Sequence, residues 1–458
     1  MTDLLLGIDV GTSACKAALI DADGGERAHG QSTTPWRRTA TGAEIECEAL
    51  FEAAVAAARG ALSGARDARI RGVGVASMGE AGALLDNRGR PLAPAIAWHD
   101  ARGDDDAQRL ADDLGAERFA EATGLLATPL CSLAKLSWLA RHRPATRFAS
   151  RWLNVAEWVV RRLGGRDVAE LSLASRTGLL DLSARAPFAD ALAWAGRSAD
   201  LLPELVTAGM PAGTAHGAEL PECNGAVLTV AGHDHLVAGV GAGVVAPGDV
   251  LDSCGTAEAL MRVVAPPLSG EQVRRSVAGG VTVGWHLAEG RQALLGSLWS
   301  GLALQEVLAE LRVDESDRAR LSAQALAADP STVPSVELEL HSLERPPPQL
   351  PAGVGPERIW RGAIDAVGAE VETLLAHIES VAGPRRKVVV VGGWAHDEAV
   401  LASKASLGAV EAPPVAEATA RGAALLGGVA AGLFESVDTL PPIPIPVAAG
   451  RSWHQWLI

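Results

Sequence analysis

Residues 6–16, LGIDVGTSACK, decide the fold of this chain because they join an apolar strand to a carboxylate and a tight turn. Leu4 to Ile8 is a continuous apolar run, which is typical of a buried strand. Gly11 lets the backbone adopt a conformation that would strain a residue with a Cβ atom. The stretch therefore predicts a strand, a tight turn and a returning strand.

The polar groups of this turn suit a phosphate. Gly11, Thr12 and Ser13 offer amide and hydroxyl donors, and Lys16 adds a cation. Asp9 is predicted to hold Mg²⁺ through its water shell, because Mg²⁺ prefers few protein ligands and several waters. An ordinary hairpin with a solvated turn is the alternative.

A related phrase, VLDSCGT, returns at residues 250–256, roughly half the chain later. As in the first stretch, apolar residues precede an Asp and a Gly-Thr pair. The repetition predicts two similar domains, residues 1–240 and 241–458, whose turns face each other across a cleft and bind a polyphosphate from both sides. Chance similarity between two short segments is the alternative.

Composition bounds the class of protein. A chain of 458 residues, 48% of them hydrophobic, suits two globular domains of ordinary size. The 40 Lys and Arg against 55 Asp and Glu give a net charge of −15, which argues against a nucleic-acid partner. Five scattered Cys fit a reducing cytoplasm, and no apolar stretch is long enough to span a bilayer. We therefore expect a cytoplasmic protein without membrane partners; a homodimer is compatible with the sequence.

Apolar strands alternate with helical patterns along the chain, which predicts an α/β fold. Residues 109–205 are mostly helical in pattern, and residues 344–355 form a Pro-rich loop. The expected helices are Glu48 to Leu62, Leu294 to Leu311, Ile359 to Val381 and one from about Glu398, and the expected strands are Ile70 to Ala76, Val227 to Ala231 and Lys387 to Val391.

These segments together resemble the FGGY family of carbohydrate kinases, which includes xylulose, glycerol and gluconate kinases. The resemblance runs from about residue 5 to residue 434 and rests on six segments in the family's order: 7–13 (GIDVGTS), 98–102 (WHDAR), 232–235 (GHDH), 253–256 (SCGT), 296–301 (GSLWSG) and 392–393 (GG). It implies two actin-like ATPase (ribonuclease H-like) domains flanking a catalytic cleft. It also implies transfer of the γ-phosphoryl group of ATP, with Mg²⁺, to a hydroxyl of a small sugar or polyol.

Asp234 matches the position of the family's catalytic base. A sugar hydroxyl that attacks phosphorus must lose a proton, and a carboxylate within hydrogen-bond reach can accept it. A helix N-cap is the alternative role, since Asp is common there. His233 and His235 flank Asp234, but two His at this spacing lack a third metal ligand nearby in the sequence.

The resemblance places substrate contacts on two further segments. Glu80 occupies the position of a substrate-binding Glu in glycerol kinases, although Gly79 stands where those enzymes carry Arg and xylulose kinases usually carry His at the Glu position. A carboxylate can accept hydrogen bonds from two neighbouring hydroxyls. For the second segment, residues 98–102, the alternative is a surface turn with a salt bridge between Asp100 and Arg102. The predicted substrate-binding residues are Met78, Glu80, Trp98, His99, Asp100, Arg102 and His233.

The second phrase points to the phosphates of a nucleotide, and the resemblance implies that a later Gly pair contacts its adenosine. Gly255 and Thr256 are predicted to bind phosphate, and Gly392, Gly393 and Trp394 the adenosine. Family members typically have three Gly where this chain has Gly-Gly-Trp. Trp394 therefore either narrows the adenine site or offers a stacking face.

Two other classes of function stay open. A non-kinase actin-like ATPase would need no carboxylates beside a polyol pocket, so Asp234 and Glu80 disfavour it. A sugar-binding regulator would tolerate loss of the phosphate turns, and both turns are intact. The sequence does not specify the sugar or polyol.

Overall fold

The computed structural model describes residues 2–40, 42–64, 68–342 and 345–443. The strands are β1 Thr2–Val10, β2 Ala14–Asp21, β3 Glu26–Thr33, β4 Arg37–Thr39, β5 Gly42–Ile45, β6 Ala68–Ser77, β7 Gly82–Leu85, β8 Ala95–Ile96, β9 Arg151–Asn154, β10 Val168–Glu170, β11 Leu180–Asp181, β12 Ala186–Pro187, β13 Glu204–Val206, β14 Gly213–Thr214, β15 Val227–His233, β16 Asp249–Cys254, β17 Glu258–Val264, β18 Thr282–Trp285, β19 Gln292–Leu298, β20 Lys387–Val391 and β21 Val410–Glu411.

The α-helices are α1 Cys47–Leu62, α2 Asp104–Leu114, α3 Ala116–Thr123, α4 Ser132–His142, α5 Val155–Arg162, α6 Leu171–Ala174, α7 Ala189–Trp194, α8 Asp234–Gly241, α9 Gly270–Ala278, α10 Ser300–Glu310, α11 Glu315–Ala327, α12 Pro356–Ala382, α13 Glu398–Ser403 and α14 Ala418–Ala430. Short 3₁₀ helices cover Pro144–Phe148, Ala199–Leu201, Pro221–Cys223, Pro330–Thr332, Gly393–His396, Lys404–Leu407 and Val437–Thr439.

The first large sheet has the strand order β14-β15-β6-β1-β2-β3. β1 and β2 form an antiparallel hairpin that pairs Asp9 with Lys16, and β6 and β15 extend the sheet in parallel. Leu5, Leu6 and Ile8 are at most 1% exposed, and burial of each such side chain is worth about 1.5–3 kcal/mol. The predicted strand, turn and returning strand at residues 4–16 is confirmed.

The second large sheet contains the consecutive strands β19-β17-β16-β20-β21. β16 and β17 form an antiparallel hairpin, and β20 and β21 follow β16 in parallel. The arrangement repeats the order β3-β2-β1-β6-β15 of the first sheet. Both phrases found in the sequence are therefore hairpins in equivalent places of two similar sheets.

The chain divides into two compact units. The first comprises Met1–Val245, Val264–Ala293 and Glu417–Pro444, and the second includes Ala246–Val263 and Leu294–Ala416. The segment that begins at Glu417 thus belongs to the first unit, although it is remote from that unit in sequence.

Small residues let α14 pack directly on the first sheet. A Cβ atom at Gly7 of β1 would lie 1.8 Å from the carbonyl oxygen of Ala420, and one at Gly74 of β6 would lie 1.9 Å from that of Ala423. Any larger residue at these positions would separate helix and sheet. The Ala- and Gly-rich sequence of α14 is explained by this close approach.

One predicted helix was wrong in its first part. Residues expected to be helical from Leu294 form β19 up to Leu298, and the helix α10 begins at Ser300. The apolar run QALLGSL is too short for its periodicity to separate strand from helix, and sheet pairing decides the outcome. Residues 109–205 include strands β9 to β13 as well as helices. In the Pro-rich stretch, residues 345–355 have no helix or strand, and Glu344 lies outside the described residues.

The other predicted elements are confirmed within a few residues. These are α1, α12, α13, β6, β15 and β20. No helix in the described part of the chain is both long and apolar enough to cross a bilayer.

Candidate active site

Three parallel strands of the first sheet end at the same edge, and the candidate site begins there. The register aligns Val10 of β1 with Ser77 of β6, and Ser77 with His233 of β15. Asp9 precedes the first of these strand ends, and Glu80 and Asp234 follow the other two closely. The sheet therefore brings together three carboxylates that are far apart in the sequence.

Asp234 is the first residue of α8, and His233 is the N-cap residue. The Asp234 carboxylate accepts a hydrogen bond from the backbone N–H of His235 at 2.7 Å, and His233 Nε2 lies 3.4 Å from Asp234 Oδ1. Burial raises the pKa of Asp234, and Glu80 raises it further, while His235 and Arg176 oppose the shift. The carboxylate, 22% exposed, thus combines access with an enhanced affinity for a proton.

Neither alternative reading of the 232–235 segment fits the geometry. Asp234 lies inside the helix and not at its N-cap. Within the described ranges, three potential metal ligands lie close together only at Asp252, Cys254 and Glu258, so His233 and His235 form no such set. Burial lowers the pKa of His233 well below its usual value, which keeps the ring neutral beside Asp234.

Glu80 is held in place by an arginine from a distant segment. Arg176 Nε donates to Glu80 Oε1 at 2.6 Å, and Arg176 Nη1 donates to Thr282 Oγ1 at 2.7 Å. Glu80 is 8% exposed and has a φ of 58°, a left-handed conformation that costs a residue with a side chain on the order of 1–3 kcal/mol. Gly79 lies against the side chain of Arg176, because a Cβ atom at Gly79 would be 3.2 Å from Arg176 Cγ.

Asp9 carries an unsatisfied buried oxygen. Among the described residues, Asp9 Oδ1 has no hydrogen-bond partner. Burial raises the pKa of Asp9 well above its usual value, with Asp234 and Glu417 adding to the shift and Lys16 opposing it. Lys16 itself forms a 2.8 Å ion pair with Glu417. A divalent cation would relieve both the unpaired oxygen and the repulsion between the carboxylates, so Asp9 fits the predicted Mg²⁺ site.

The first turn contacts two segments that were predicted to bind substrate. Thr12 Oγ1 accepts a hydrogen bond from Trp98 Nε1 at 2.8 Å and donates toward Met78 Sδ at 3.9 Å. Trp36 Nε1 donates to the carbonyl oxygen of Thr12 at 2.7 Å. Thr12 therefore links the phosphate turn to the predicted sugar contacts, a connection that the sequence did not indicate.

Asp100 and Arg102 are engaged with each other and with β5. Arg102 Nη2 donates to Asp100 Oδ2 at 2.7 Å, and Arg102 Nη1 donates to Glu44 Oε2 at 2.8 Å. Asp100 also accepts from the backbone N–H of Ala43 at 2.6 Å. These contacts resemble the alternative salt-bridged turn, although the pair is buried. Neighbouring His99 is half-buried, and burial lowers the pKa of its ring.

A buried polar chain supports the backbone just before Asp234. The hydroxyl of Ser172 donates to Glu170 Oε2 at 2.5 Å and accepts from the backbone N–H of His233 at 3.0 Å. Glu157 Oε1 accepts the backbone N–H of Glu170 at 2.9 Å. Burial raises the pKa of Glu157 to about 8 and that of Glu170 to about 7. Ser172 thus connects these buried hydrogen bonds to the end of β15, which is followed directly by Asp234.

We expect Ser172→Ala to lower kcat roughly 10- to 100-fold with little change in KM, because a small displacement of Asp234, the predicted base, would be costly. Ser175→Ala is the matched control: its hydroxyl is also buried, donates to Leu171 O at 2.7 Å and accepts from the N–H of Trp285 at 3.0 Å. Both variants should lose about 1–3 kcal/mol of stability. Equal kcat losses in the two variants would show that Ser172 is only structural.

In the second unit, the predicted nucleotide-binding residues cluster around the second turn. A Cβ atom at Gly392, whose φ is 100°, would lie 2.5 Å from the carbonyl oxygen of Cys254. The backbone N–H of Leu302 donates to Thr256 O at 2.9 Å. Trp394 is 6% exposed, and its ring packs against Trp360 and Arg318.

The remaining predicted glycines of that cluster differ in their surroundings. A Cβ atom at Gly301 would lie 1.9 Å from the carbonyl oxygen of Gly255, so α10 approaches the turn closely. Gly393 begins a short 3₁₀ helix. Trp394, which was predicted to bind the adenosine together with Gly392 and Gly393, therefore lies in the packed interior beside them.

Comparisons with known proteins extend over nearly the whole chain. The profile "FGGY family of carbohydrate kinases, N-terminal domain" matches residues 4–241, and its C-terminal counterpart matches residues 251–431. A glycerol kinase of Bordetella parapertussis is 29% identical, with 95% of this chain and 90% of the relative covered. A xylulose kinase of Streptomyces rubiginosus is 28% identical, with 98% and 91% covered. The crystal structure of xylulose kinase from Rhodospirillum rubrum superimposes with a TM-score of 0.84 at 22% identity, covering 97% of this chain and 94% of that one.

Fold and comparisons together define a two-domain α/β protein of the actin-like ATPase fold. The chain belongs to the FGGY family of carbohydrate kinases. It is thus a phosphotransferase that acts on an alcohol group of a sugar or polyol, and the phosphate donor of this family is ATP.

Proposed function

We propose that this kinase phosphorylates a neutral ketose or polyol, such as xylulose or a related compound, with Asp234 as the general base. The observation that carries the proposal is the convergence of Asp234, Glu80 and Asp9 at one sheet edge of the first unit. Asp234 accepts the proton of the attacking hydroxyl, and Glu80 accepts hydrogen bonds from neighbouring hydroxyls.

The charges around Glu80 favour a neutral substrate. Arg176 is the cation nearest to that carboxylate, and it is already paired with it at 2.6 Å and hydrogen-bonded to Thr282. An acid sugar would bring a further negative charge toward Asp234, Glu80 and Asp9. Its carboxylate would have to compete with Glu80 for Arg176, and the ammonium of Lys135, which also interacts with Glu80, is already held by the carbonyl oxygens of Trp98 and Pro129. Binding would therefore cost repulsion between carboxylates.

The phosphate donor is assigned to the two turns. Gly11, Thr12, Ser13 and Lys16 contribute donors from the first hairpin, and Asp9 would hold Mg²⁺ when the metal is bound. Mg²⁺ supplies charge neutralisation at the transferring phosphoryl group.

Gly255 and Thr256 of the second hairpin, with the adenosine segment at Gly392, Gly393 and Trp394, complete the nucleotide site. In this proposal residues 1–240 bind the sugar and contribute the first phosphate turn, and residues 241–458 bind the rest of the nucleotide. Met78, Trp98, His99 and His233 line the sugar side.

The proposal is tested with a panel of acceptors and coupled detection of ADP. The panel contains xylulose, other ketoses, tetritols, glycerol and gluconate, each at several concentrations with Mg²⁺ and ATP. A neutral compound should give the highest kcat/KM, at least about tenfold above gluconate, since one uncompensated charge contact is worth on the order of 1.4 kcal/mol or more. Preference for gluconate would contradict the reading of Arg176 and Glu80.

A further inference from the structure

A buried ion cluster lies directly behind the second hairpin. Lys404 Nζ is 3.0 Å from Asp252 Oδ2 and also contacts Glu258 Oε1. The three side chains are 1%, 0% and 3% exposed. Ser300 Oγ donates to Glu258 Oε2 at 2.5 Å, and Cys254 Sγ donates to Asp252 Oδ1 at 3.2 Å. Asp252 and Cys254 belong to β16, and Glu258 begins β17, so the cluster holds both strands of the hairpin.

The ammonium group of Lys404 contacts two of the three residues that could share a metal ion. Ligand atoms of Asp252, Cys254 and Glu258 all lie within 4.8 Å of one another, which is close enough for a shared cation. Two carboxylates buried without a cation would be strongly destabilising. Burial and Asp252 raise the pKa of Glu258 to about 7, while the two acids raise that of Lys404 well above its usual value. Lys404 therefore stays charged.

The two hairpins differ in the cation partner of the Asp that precedes the turn. In the first hairpin, Lys16 faces Asp9 across the strands but pairs with Glu417, and Asp9 Oδ1 has no hydrogen-bond partner in the described part of the chain. In the second hairpin, Asp252 is neutralised by Lys404, which comes from a different segment. Asp252 Oδ2 also lacks a hydrogen-bond partner in that part of the chain, but the Lys404 ammonium lies 3.0 Å from it, so of these two Asp carboxylates only Asp9 lacks a cation partner there.

We propose that Lys404 is the fixed cation of the second hairpin: it neutralises Asp252 and Glu258, excludes a metal ion and positions the turn that carries Gly255 and Thr256. The metal site then belongs to the first hairpin alone. Lys404 is a positioning residue, since it acts through the two acids. The role of the turn in binding the phosphate donor rests on the proposed function, whereas the exclusion of metal and the rigidity of the hairpin do not.

The contacts of the cluster explain how Lys404 affects the turn. Ser300, which binds Glu258, is the first residue of α10, and the next two residues of that helix contact the turn. A Cβ atom at Gly301 would lie 1.9 Å from Gly255 O, and the N–H of Leu302 donates to Thr256 O at 2.9 Å. Loss of the cation would therefore loosen the turn on two sides.

The first test is hydrogen exchange of the free protein at residues 250–262. Lys404→Met keeps a long side chain and removes the charge; Lys387→Met is the control, because Lys387 pairs with the exposed Glu411 at 2.8 Å in the same sheet. We expect hairpin amides to exchange at least about tenfold faster in Lys404→Met than in the control. Unchanged protection would overturn the proposal.

A double variant covers the case in which Lys404→Met does not fold. Lys404→Met with Asp252→Asn removes one charge of each sign, and Glu258, whose pKa is already raised by burial, can take up a proton. This double variant should recover folding, because a buried ion pair replaced as a pair costs far less than one broken. An unfolded double variant would contradict a neutralising role. In the folded double variant, KM for ATP should rise about tenfold while KM for the sugar stays the same. Equal changes in both would also count against positioning of the donor site.

A second experiment tests the claim that only the first hairpin holds a metal ion. Binding of Mn²⁺ in the presence of ATP, without any sugar, is measured by electron paramagnetic resonance. Asp9→Asn should weaken Mn²⁺ binding in the complex, whereas Asp252→Asn should leave it within about twofold of the parent protein. Equal weakening by Asp252→Asn would show that Asp252 is a metal ligand and would refute the inference. Failure of the parent protein to phosphorylate any acceptor would count against the proposed function without altering this result.

Discussion

Asp234→Ala is expected to reduce turnover by roughly 10²- to 10⁴-fold, which is the usual contribution of a positioned general base. The substitution removes the only acceptor proposed for the proton of the attacking hydroxyl. Binding of ATP should change little, because the nucleotide contacts are assigned to other residues. Turnover is measured by coupled ADP release at saturating ATP and acceptor, and ATP affinity by calorimetry.

Asp23→Ala is the matched control for this variant. Asp23 is an exposed acid of the same unit, in the turn between β2 and β3, and should tolerate replacement. Turnover of Asp234→Ala close to that of Asp23→Ala would remove Asp234 from the mechanism.

The pH dependence of the activity provides a second test of Asp234. The base must be ionised to accept a proton, and burial raises the pKa of Asp234. Activity should therefore begin to fall at a higher pH than an ordinary exposed Asp would produce, and it should be lost as the pH decreases through that raised pKa.

Asp9→Asn is expected to weaken Mg²⁺ binding in the ATP complex by roughly 10- to 100-fold, the usual effect of losing a group that orients a metal's ligands. Asparagine keeps the shape of the side chain and removes its charge. The Mg²⁺ concentration needed for half-maximal rate should rise accordingly, while KM for the sugar stays nearly constant. An unchanged Mg²⁺ requirement would make the first turn purely structural.

The same variant should be more stable than the parent protein when Mg²⁺ and ATP are absent. Burial and Asp234 raise the pKa of Asp9 in the folded state, so its ionised form opposes folding at neutral pH. Asparagine removes that cost. The difference in Tm should shrink as the pH falls through the raised pKa, because Asp9 is then neutral in the parent protein too.

The hairpins could be predicted because their signals are local. At residues 4–16 an apolar run, a Gly and a set of hydroxyls lie within a few positions, and pairing of neighbouring strands follows directly. The second hairpin was found by its likeness to the first. Asp234 and Glu80 came from the family resemblance, and their roles remain predictions that mutagenesis has to test.

The partners of these residues could not be predicted, because the sequence separates them widely. Arg176 is 96 residues from Glu80, and Ser172 is 61 residues from His233. Lys404 lies in a short 3₁₀ helix, 146 residues from Glu258, with no local pattern to mark it. Such pairs are set by sheet order and packing.

The most direct test of the account is phosphorus NMR of a reaction containing the protein, Mg²⁺, ATP and the best acceptor of the panel. We predict one new phosphomonoester signal that grows in equal amount with ADP, together with negligible inorganic phosphate. Formation of ADP and inorganic phosphate at the same rate with and without the acceptor would contradict phosphoryl transfer to a sugar or polyol and would instead indicate a non-kinase ATPase of the same fold.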